Sequence, residues 1–494
     1  MSKSAIIIGA GFSGLSTATC LSNKGYDVTV IEKHNQPGGR ARKFEANGFT
    51  FDMGPSWYWM PDVFEKYFGL FGKKPSDYYK LIRLDPSYAV IWNNNEKTEL
   101  PADINQLVNL FDSFDKGSGE RLKNFLKEAE YKYNVGVNSL VYKPGRSIRE
   151  FADLDLLTGV IKLDVFKSMA KHVRKITTNK RLLQILEFPV LFLGALSKDT
   201  PALYSLMNYA DMALGTWFPQ GGMYQIVDAM YKLAIEQGVK FEFNSEIIEL
   251  EINNKKINQV KTQDKVFKAD VVISSADYHH TETKLITKKY RSYSDKYWDS
   301  RKMAPSSLLY YIGLNKKIEG LPHHTLFFDT DFEIHADEIY TNPKWPTDPL
   351  FYLSLTTKTG DSGAPEGGEN VFILIPVAAG LVDTDEIKEK YFEMVMERLE
   401  KYASSDIKSH IVFKRTYAYR DFVNDYGAYK GNAYGLANTL LQTAILKPSC
   451  KSKKINNLFY TGQLTVPGPG VPPSLISGQV VAKEVMKDFP LQNI

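Results

Sequence analysis

The residues best suited to chemistry lie near the N-terminus, in a glycine-rich turn followed by an acidic residue. Gly9, Gly11 and Gly14 come directly after the apolar run Ala5–Ile8. Gly9 and Gly11 allow a tight turn with backbone close to a pyrophosphate, and Gly14 lets the following helix pack near the strand. Glu32 comes about 20 residues later, where a carboxylate accepts hydrogen bonds from ribose hydroxyls. The motif therefore predicts a dinucleotide-binding site.

A second glycine pair follows the acidic residue and carries an arginine. In Gly38-Gly39-Arg40 the planar guanidinium can hold a phosphate through two parallel N–H bonds. The two glycines let the backbone approach the same group. The predicted nucleotide site also includes the neighbouring residues Phe12, Ser13 and Lys33.

The surrounding pattern is typical of a strand–helix–strand unit. Residues 5–8 predict a buried parallel strand, residues 13–23 a helix that stops at Gly25, and residues 28–31 a second strand. Strand patterns return at residues 239–243 and 269–274 after a mostly helical interval, and once more at residues 457–462. We therefore expect a discontinuous nucleotide-binding domain in an α/β protein.

That expectation divides the chain into two domains. The Rossmann-like domain is predicted to comprise residues 1–72, 216–289 and 449–494. Residues 73–215 and 290–448 would form an inserted substrate domain with a mixed β-sheet and helices, and strands are predicted at residues 307–314, 350–355 and 370–376. Its helical part, about residues 100–200, is predicted to face a membrane.

Composition narrows the class of protein. The 494 residues are 43% hydrophobic and 24% charged, with a net charge of +4. These values are ordinary for a globular chain of two or three lobes. The small charge argues against a nucleic-acid partner.

Metal and disulfide chemistry have little support in the sequence. Cys20 and Cys450 provide no disulfide framework. The pairs His279-His280 and His323-His324 lack partners at ligand spacing and are predicted to be loop residues, so no metal site is expected.

The chain is expected to be cytoplasmic and to lie on a membrane rather than cross it. Its first motif begins close to Met1, and its longest apolar run, residues 371–382, is short and contains Pro376. Residues 164–184 predict a basic amphipathic helix, with Phe166, Met169, Val173 and Ile176 on one face. Such a helix can bind an anionic membrane, or it can cover the core of a globular domain.

The two glycine motifs together resemble the extended fingerprint of a superfamily of FAD-dependent oxidoreductases that includes amine oxidases, protoporphyrinogen oxidases and carotenoid desaturases. The resemblance favours FAD over NAD. It also implies that a segment passing beside the flavin contributes Gly54, Pro55 and Ser56, and that Ile247 lies near the adenine. The next residues, Trp57, Tyr58 and Trp59, can line an apolar channel or pack in a core.

The C-terminal segment resembles the bacterial-type phytoene desaturase family, whose members carry Thr-His-Pro-Gly followed by Gly-Val. Here Val466 replaces the histidine and Pro473 is additional. A strand that ends at Gly462 would bring the backbone close to the ribityl-phosphate of FAD. A helix from Leu475 would direct free N–H groups at the flavin. The predicted cofactor site therefore includes Gly462, Val471 and Pro472.

This resemblance implies a carotenoid desaturase of the phytoene desaturase type, which introduces double bonds into a C40 polyene by hydride transfer to FAD, with phytoene-like early intermediates as the first choice of substrate. A lipophilic carotenoid would be the substrate, and quinone or oxygen the electron acceptor. Alternatives are a 1'-hydroxycarotenoid 3,4-desaturase of the same family, a flavin amine oxidase, and a prenyl-lipid carrier resembling Rab GDP-dissociation inhibitors. No catalytic base stands out among the candidate acids Asp211, Asp421 and Asp425.

Overall fold

The first of two main sheets in the computed structural model is a parallel sheet built from distant parts of the chain. The structure describes residues 2–147, 150, 167–191, 194–360 and 363–491. Ser4–Ile8 is the central strand, and its apolar residues are covered on both faces, as in other parallel sheets. The strand order is Leu458–Tyr460, Val271–Ser274, Ser4–Ile8, Asp27–Ile31 and Lys240–Glu242. All five strands lie within the ranges predicted for the nucleotide domain, whose boundaries stay a prediction.

Two helices from opposite ends of the chain pack against each other beside this sheet. The first is Phe12–Ser22, close to the predicted residues 13–23, and the last is Val471–Asp488. They approach closely at Gly478, where a Cβ atom would lie 2.5 Å from the Ser13 carbonyl oxygen. The last helix begins before Leu475, because proline is tolerated in a first turn, where no intrahelical N–H bond is needed.

The second main sheet is mixed and has seven strands. Its order is Ile411–Tyr417, Ser306–Leu314, Glu369–Val377, Phe351–Leu355, His324–Phe328, Tyr88–Trp92 and Lys97–Leu100. The three strands predicted in this part of the chain are confirmed, with bounds one or two residues wider or narrower. The interval that the sequence indicates as mostly helical, residues 73–215, begins with the three short strands Leu81–Arg83, Tyr88–Trp92 and Lys97–Leu100. Tyr88–Trp92 is buried on both faces and therefore lacks the alternation that identifies a half-buried strand.

The predicted basic helix over residues 164–184 was also wrong. Among the described residues of that segment, Met169–Val173 and Lys180–Leu191 are separate helices. The side chain of Asn179 caps the second by accepting the backbone N–H of Arg181 at 3.0 Å. Residues 164–166, including Phe166, lie outside the described residues. Met169, Val173 and Ile176 are buried. These apolar residues therefore cover the core of the protein, which was the alternative to membrane binding.

Seven other strands, all short, and ten further α-helices lie among the described residues. None of the helices in the described ranges is both long enough and apolar enough to span a membrane. The remaining strands are Lys43–Ala46, Phe49–Asp52, Leu81–Arg83, Trp217–Pro219, Glu249–Asn253, Lys256–Lys261 and Val266–Phe267. The remaining α-helices are Pro61–Gly69, Ile104–Phe114, Ser118–Asn138, Leu206–Asn208, Tyr224–Glu236, Tyr278–His280, Asp295–Asp299, Phe332–Tyr340, Asp385–Ala403 and Tyr419–Tyr426.

Candidate functional site

Residues of both sheets enclose a cavity of about 990 Å³. This volume is at the upper end of the range for ligand pockets, about 300–1,000 Å³. The cavity gathers residues from the whole length of the chain. Its lining includes the predicted cofactor residues Gly9, Gly11, Phe12, Ser13, Glu32, Lys33, Gly38, Gly39, Arg40, Gly54, Pro55, Ser56, Ile247, Gly462, Val471 and Pro472.

Gly14 is the one predicted cofactor residue outside this lining. A Cβ atom there would overlap the Gly9 carbonyl oxygen and touch the side chain of Ser275. Gly9 itself has φ +95°, and its N–H donates to the Ile31 carbonyl at 2.8 Å. Gly14 therefore seats the helix against the turn, while Gly9 and Gly11 face the cavity.

The second glycine pair packs directly on the first turn. The Gly38 N–H donates to the Ala10 carbonyl at 2.9 Å, and a Cβ atom on Gly39 would lie 3.3 Å from the Gly11 Cα. A Cβ atom on Gly54 would overlap the Arg40 carbonyl oxygen. Three loops are thus layered without side chains between them, which leaves room for a ligand against their backbones.

Glu32 connects the turn to the end of the second strand. Its carboxylate is 5% exposed and accepts the N–H groups of Ala10 at 2.8 Å and His34 at 3.0 Å. A carboxylate has about four acceptor positions, so two remain for hydroxyl groups of a ligand. The geometry fits the ribose-binding role predicted for this residue.

Arg40 is a partly buried cation at the cavity wall. Its Nε atom has no hydrogen-bond partner among the described residues, and its guanidinium lies 5.0 Å from the centre of the Tyr426 ring. Burial lowers the pKa of Arg40, whereas the nearby Asp277 raises it. A partly buried guanidinium whose buried Nε donor is unused fits a phosphate group. Together with the layered glycines and Glu32, this arrangement fits FAD.

A helical cover lies across the nucleotide side of the cavity. Asp425, on the helix Tyr419–Tyr426, pairs with Arg42 at 2.7 Å, and its carbonyl oxygen contacts His34 Nε2 at 3.1 Å. The Lys33 ammonium donates to the Asn424 carbonyl at 2.8 Å. Asp421 caps this helix by accepting the Ala418 N–H. Two of the three candidate acids therefore stabilise the cover.

Sequence reasoning missed several residues of the lining. The Asp277 carboxylate accepts the His280 N–H at 3.0 Å, and burial raises its pKa. The Gln463 amide donates to Asn432 Oδ1 at 2.9 Å. Both follow the carboxyl ends of parallel strands, where α/β sheets place ligands, so position relative to the strands was the available signal. The helical cover, Tyr419–Tyr426, does not follow a strand of the parallel sheet, so this signal could not identify it.

The other side of the cavity is aromatic. Trp57 stacks on the His324 ring, with centres 4.2 Å apart, and lies 5.7 Å from Phe188. Trp57, Trp59 and Phe188 all line the cavity. Tyr58 does not line it: its ring stacks on Phe64, 4.6 Å away, in the core. The channel interpretation thus holds for the two tryptophans alone.

The prediction that both histidine pairs are loop residues holds only for His323, which lies in a bend, whereas the other three lie in a helix or a strand. His324 begins a strand, and burial lowers the pKa of His323 to about 3. His279 and His280 end a short helix and line the cavity. Over the described part of the chain, no cluster of histidine, cysteine, aspartate or glutamate is arranged to hold a metal ion.

The last helix reaches the cavity with its first turn. It begins after Gly470, whose φ is +107°, and Pro472 and Pro473 have no N–H to donate. The first turn therefore offers fewer donors than the sequence analysis expected. Gly462 has φ +108° and donates its N–H to Ser477 at 2.9 Å, which fixes the preceding strand end to this helix.

Comparison with known proteins agrees with this geometry. The family model described as flavin containing amine oxidoreductase matches residues 12–486. The chain is 39% identical to a carotenoid 3,4-desaturase of Haloarcula japonica over 98% of both chains. It is 29% identical to a zeta-carotene-forming phytoene desaturase of Myxococcus xanthus, over 97% of this chain and 93% of that protein.

Among solved structures, an oxidoreductase from Methanosarcina mazei has the same fold. The TM-score is 0.61 at 15% identity, over 97% of this chain and 100% of that one. The fold, the layered glycine motifs and the family match agree, and the residues of the cavity fit the flavin cofactor. The chain belongs to the flavin containing amine oxidoreductase family, and its cofactor is FAD.

Proposed function

We propose that the protein is an FAD-dependent carotenoid desaturase that acts on a carbon–carbon single bond of a C40 polyene. One observation carries this proposal: a single cavity joins the glycine-rich turns to an aromatic compartment lined by Trp57, Trp59 and Phe188. The names of the two relatives support it, since both are desaturases that match this chain over nearly its whole length.

Bound FAD would supply the redox chemistry by accepting a hydride from an allylic C–H bond, and the adjacent carbon would lose a proton as the double bond forms. The chain's own residues bind, orient and exclude water. Glu32 would hold the ribose hydroxyls and Arg40 a phosphate, while the remaining predicted cofactor residues in the lining would surround the cofactor. Trp57, Trp59 and Phe188 would hold the polyene, because apolar surface leaves water for an apolar wall.

The bond between C3 and C4 of a 1'-hydroxycarotenoid is our preferred site of reaction. The relative with the higher identity of the two is named a carotenoid 3,4-desaturase. The cavity lining also includes the hydroxyl-bearing side chains of Ser307, Tyr340, Tyr352 and Tyr434, which suit a hydroxylated end group. Phytoene, the first choice from the sequence, is the second candidate, supported by the Myxococcus relative.

Parallel assays with the two polyenes distinguish these substrates. The FAD-loaded protein is incubated with liposomes that contain either phytoene or a 1'-hydroxycarotenoid, and the products are separated by chromatography. We expect the hydroxycarotenoid to be converted faster and to gain one double bond at C3–C4. Faster conversion of phytoene would assign the protein to the earlier desaturation steps.

We also propose that the protein binds the membrane surface from the cytoplasm and passes its electrons to quinone or oxygen. Leu441 and Leu446 are 78% and 47% exposed. Ala444, which lies between these two leucines, is close to Gly145 of the part predicted to face the membrane. A Cβ atom on Gly145 would lie 3.1 Å from the Ala444 carbonyl oxygen. Lys171 and Lys180 are exposed on the helices Met169–Val173 and Lys180–Leu191, and Lys175 is exposed in the turn between them. Their charges would each contribute about 1 kcal/mol near anionic lipid.

Replacing Leu441 and Leu446 with aspartate is expected to reduce binding to anionic liposomes about tenfold to hundredfold. Full burial of a leucine side chain stabilises the bound state by about 1.5–3 kcal/mol, and a leucine that inserts only partly into the lipid contributes a fraction of that free energy. Sedimentation with liposomes at rising salt measures the effect. Val266→Asp is the matched control, since Val266 is 58% exposed on the strand Val266–Phe267, outside the part predicted to face the membrane. Equal binding of the double variant and the wild-type protein would refute this membrane surface.

A further inference from the structure

A buried carboxylate lies behind the aromatic wall and outside the predicted cofactor residues. Asp211 is 1% exposed. Its Oδ2 atom accepts the Tyr88 hydroxyl at 3.0 Å, and its Oδ1 atom accepts the Thr216 hydroxyl at 3.2 Å. Thr216 Oγ1 in turn accepts the indole N–H of Trp59 at 2.8 Å. One carboxylate is thus connected to two aromatic side chains.

The rings held in this way belong to the cavity wall or support it. Trp59 lines the cavity, whereas Tyr88 packs behind two lining residues, 5.3 Å from the ring centre of Trp57 and 5.7 Å from that of Phe188. Trp57 and Trp59 are themselves 5.4 Å apart. Aromatic pairs keep such tilted contacts, but the contacts alone leave each ring free to slide or turn. Hydrogen bonds to a fixed partner remove that freedom.

A carboxylate is a poor choice for a purely structural core position. Burial raises the pKa of Asp211 to about 7, although its bonds to Tyr88 and Thr216 lower it. No ion pair to Asp211 is present within the described residues. An unpaired buried carboxyl costs stability, and an apolar side chain of similar volume would fill the space without that cost. What distinguishes the Asp211 carboxylate from an apolar side chain is that it accepts two hydrogen bonds in different directions.

We propose that Asp211 is a positioning residue that fixes the wall formed by Trp57, Trp59 and Phe188, and so sets the register of a polyene in the cavity. The inference rests on the proposed function, because register decides which carbon–carbon bond is oxidised. A conjugated chain has repeating, nearly equivalent carbons, so it can slide along an apolar channel unless the channel has a fixed shape. Asp211 supplies that shape from behind the wall, without touching the substrate.

The test measures the distribution of desaturation positions in the product, together with kcat and KM. Thr216→Val removes the hydroxyl that connects Asp211 to Trp59, and Tyr88→Phe removes the hydroxyl that donates to Asp211. Tyr88→Phe loses one hydrogen bond, worth about 0.5–1.5 kcal/mol, and should lower the ratio of main to misplaced product about twofold to tenfold. Thr216→Val loses two, the bond to Asp211 and the bond from Trp59, and should lower the ratio at least as much. Asp211→Asn should do the same, and the two other variants decide the question if it does not fold.

Two controls distinguish positioning from general destabilisation. Thr216→Ser keeps the hydroxyl and should restore the wild-type product ratio. Tyr310→Phe loses a buried hydrogen bond, to the Lys388 carbonyl, on the far side of the seven-stranded sheet, and should leave the ratio unchanged. Wild-type product ratios in both Thr216→Val and Tyr88→Phe would overturn the proposal.

The experiment also distinguishes failure of this inference from failure of the proposed function. If the wild-type protein desaturates no carotenoid, the proposed function is wrong. The ring-holding role then still has its own readout: the near-ultraviolet circular dichroism of the tryptophans. It should change in Thr216→Val and return in Thr216→Ser. An unchanged spectrum in Thr216→Val would reject the role of Asp211.

Discussion

Glu32→Ala is expected to yield a folded protein that is purified without its flavin. The Glu32 carboxylate holds the turn through the N–H groups of Ala10 and His34, and two acceptor positions remain for ribose hydroxyls. Each hydrogen bond to a charged group is worth about 1.5–3 kcal/mol. Loss of two ligand bonds therefore weakens FAD about a hundredfold to ten-thousandfold. Flavin absorbance after gel filtration, relative to protein absorbance, measures the loss.

Glu242→Ala is the matched control for that experiment. Glu242 ends the strand beside the one that precedes Glu32, and its partly exposed carboxylate pairs with Lys265 at 2.8 Å. It should retain a full complement of flavin. Wild-type flavin content in Glu32→Ala would show that the ribose lies elsewhere.

Gly14→Ala is expected to have the second-largest effect, a loss of FAD together with lower thermal stability. The added methyl group would overlap the Gly9 carbonyl oxygen, so either the helix or the turn must move. Overpacking of this kind costs about 1–3 kcal/mol. Because Phe12 and Ser13 line the cavity on the same helical turn, FAD affinity should fall about tenfold to hundredfold.

Fluorescence of released flavin during a thermal ramp measures both effects of Gly14→Ala in one experiment. Gly69→Ala is its control, because a Cβ atom on Gly69 would meet no heavy atom within 4 Å. That variant should melt and release flavin like the wild-type protein. If Gly14→Ala also melts and releases flavin like the wild-type protein, the first helix does not depend on the close contact between Gly14 and Gly9.

The cofactor side of the fold was predictable from the sequence because its determinants are local. The turn at Gly9 and Gly11, the strand before it and the acid after it are adjacent in the chain, and each has a signature that depends on a few neighbouring residues. Parallel strands buried on both faces are also recognisable when they end in glycine, as Leu458–Tyr460 does at Gly462.

The rest of the site depends on contacts between distant segments. The helical cover is positioned by Arg42 and Asp425, which are far apart in sequence and whose pairing no local pattern indicates. Likewise, the network of Asp211 joins Tyr88 and Trp59 through Thr216. The break at Asn179 was missed because helical spacing of apolar residues persists across a cap that starts a new helix.

The alternative functions make different predictions about the same cavity. A lipid carrier needs no flavin, whereas the layered glycines and the unused donor of Arg40 fit one. An amine oxidase would reduce its flavin with amines and leave a polyene unchanged. Only a desaturase couples reduction of flavin to a longer conjugated chain.

The most direct test of the account mixes the FAD-loaded protein with liposomes that carry a 1'-hydroxycarotenoid, in the absence of oxygen and quinone. Flavin bleaching and the carotenoid absorption spectrum are recorded together. We expect the flavin to bleach while the carotenoid maximum shifts to the red, with one new double bond for each flavin reduced. Bleaching by amines, with no red shift of either the hydroxycarotenoid or phytoene, would contradict it.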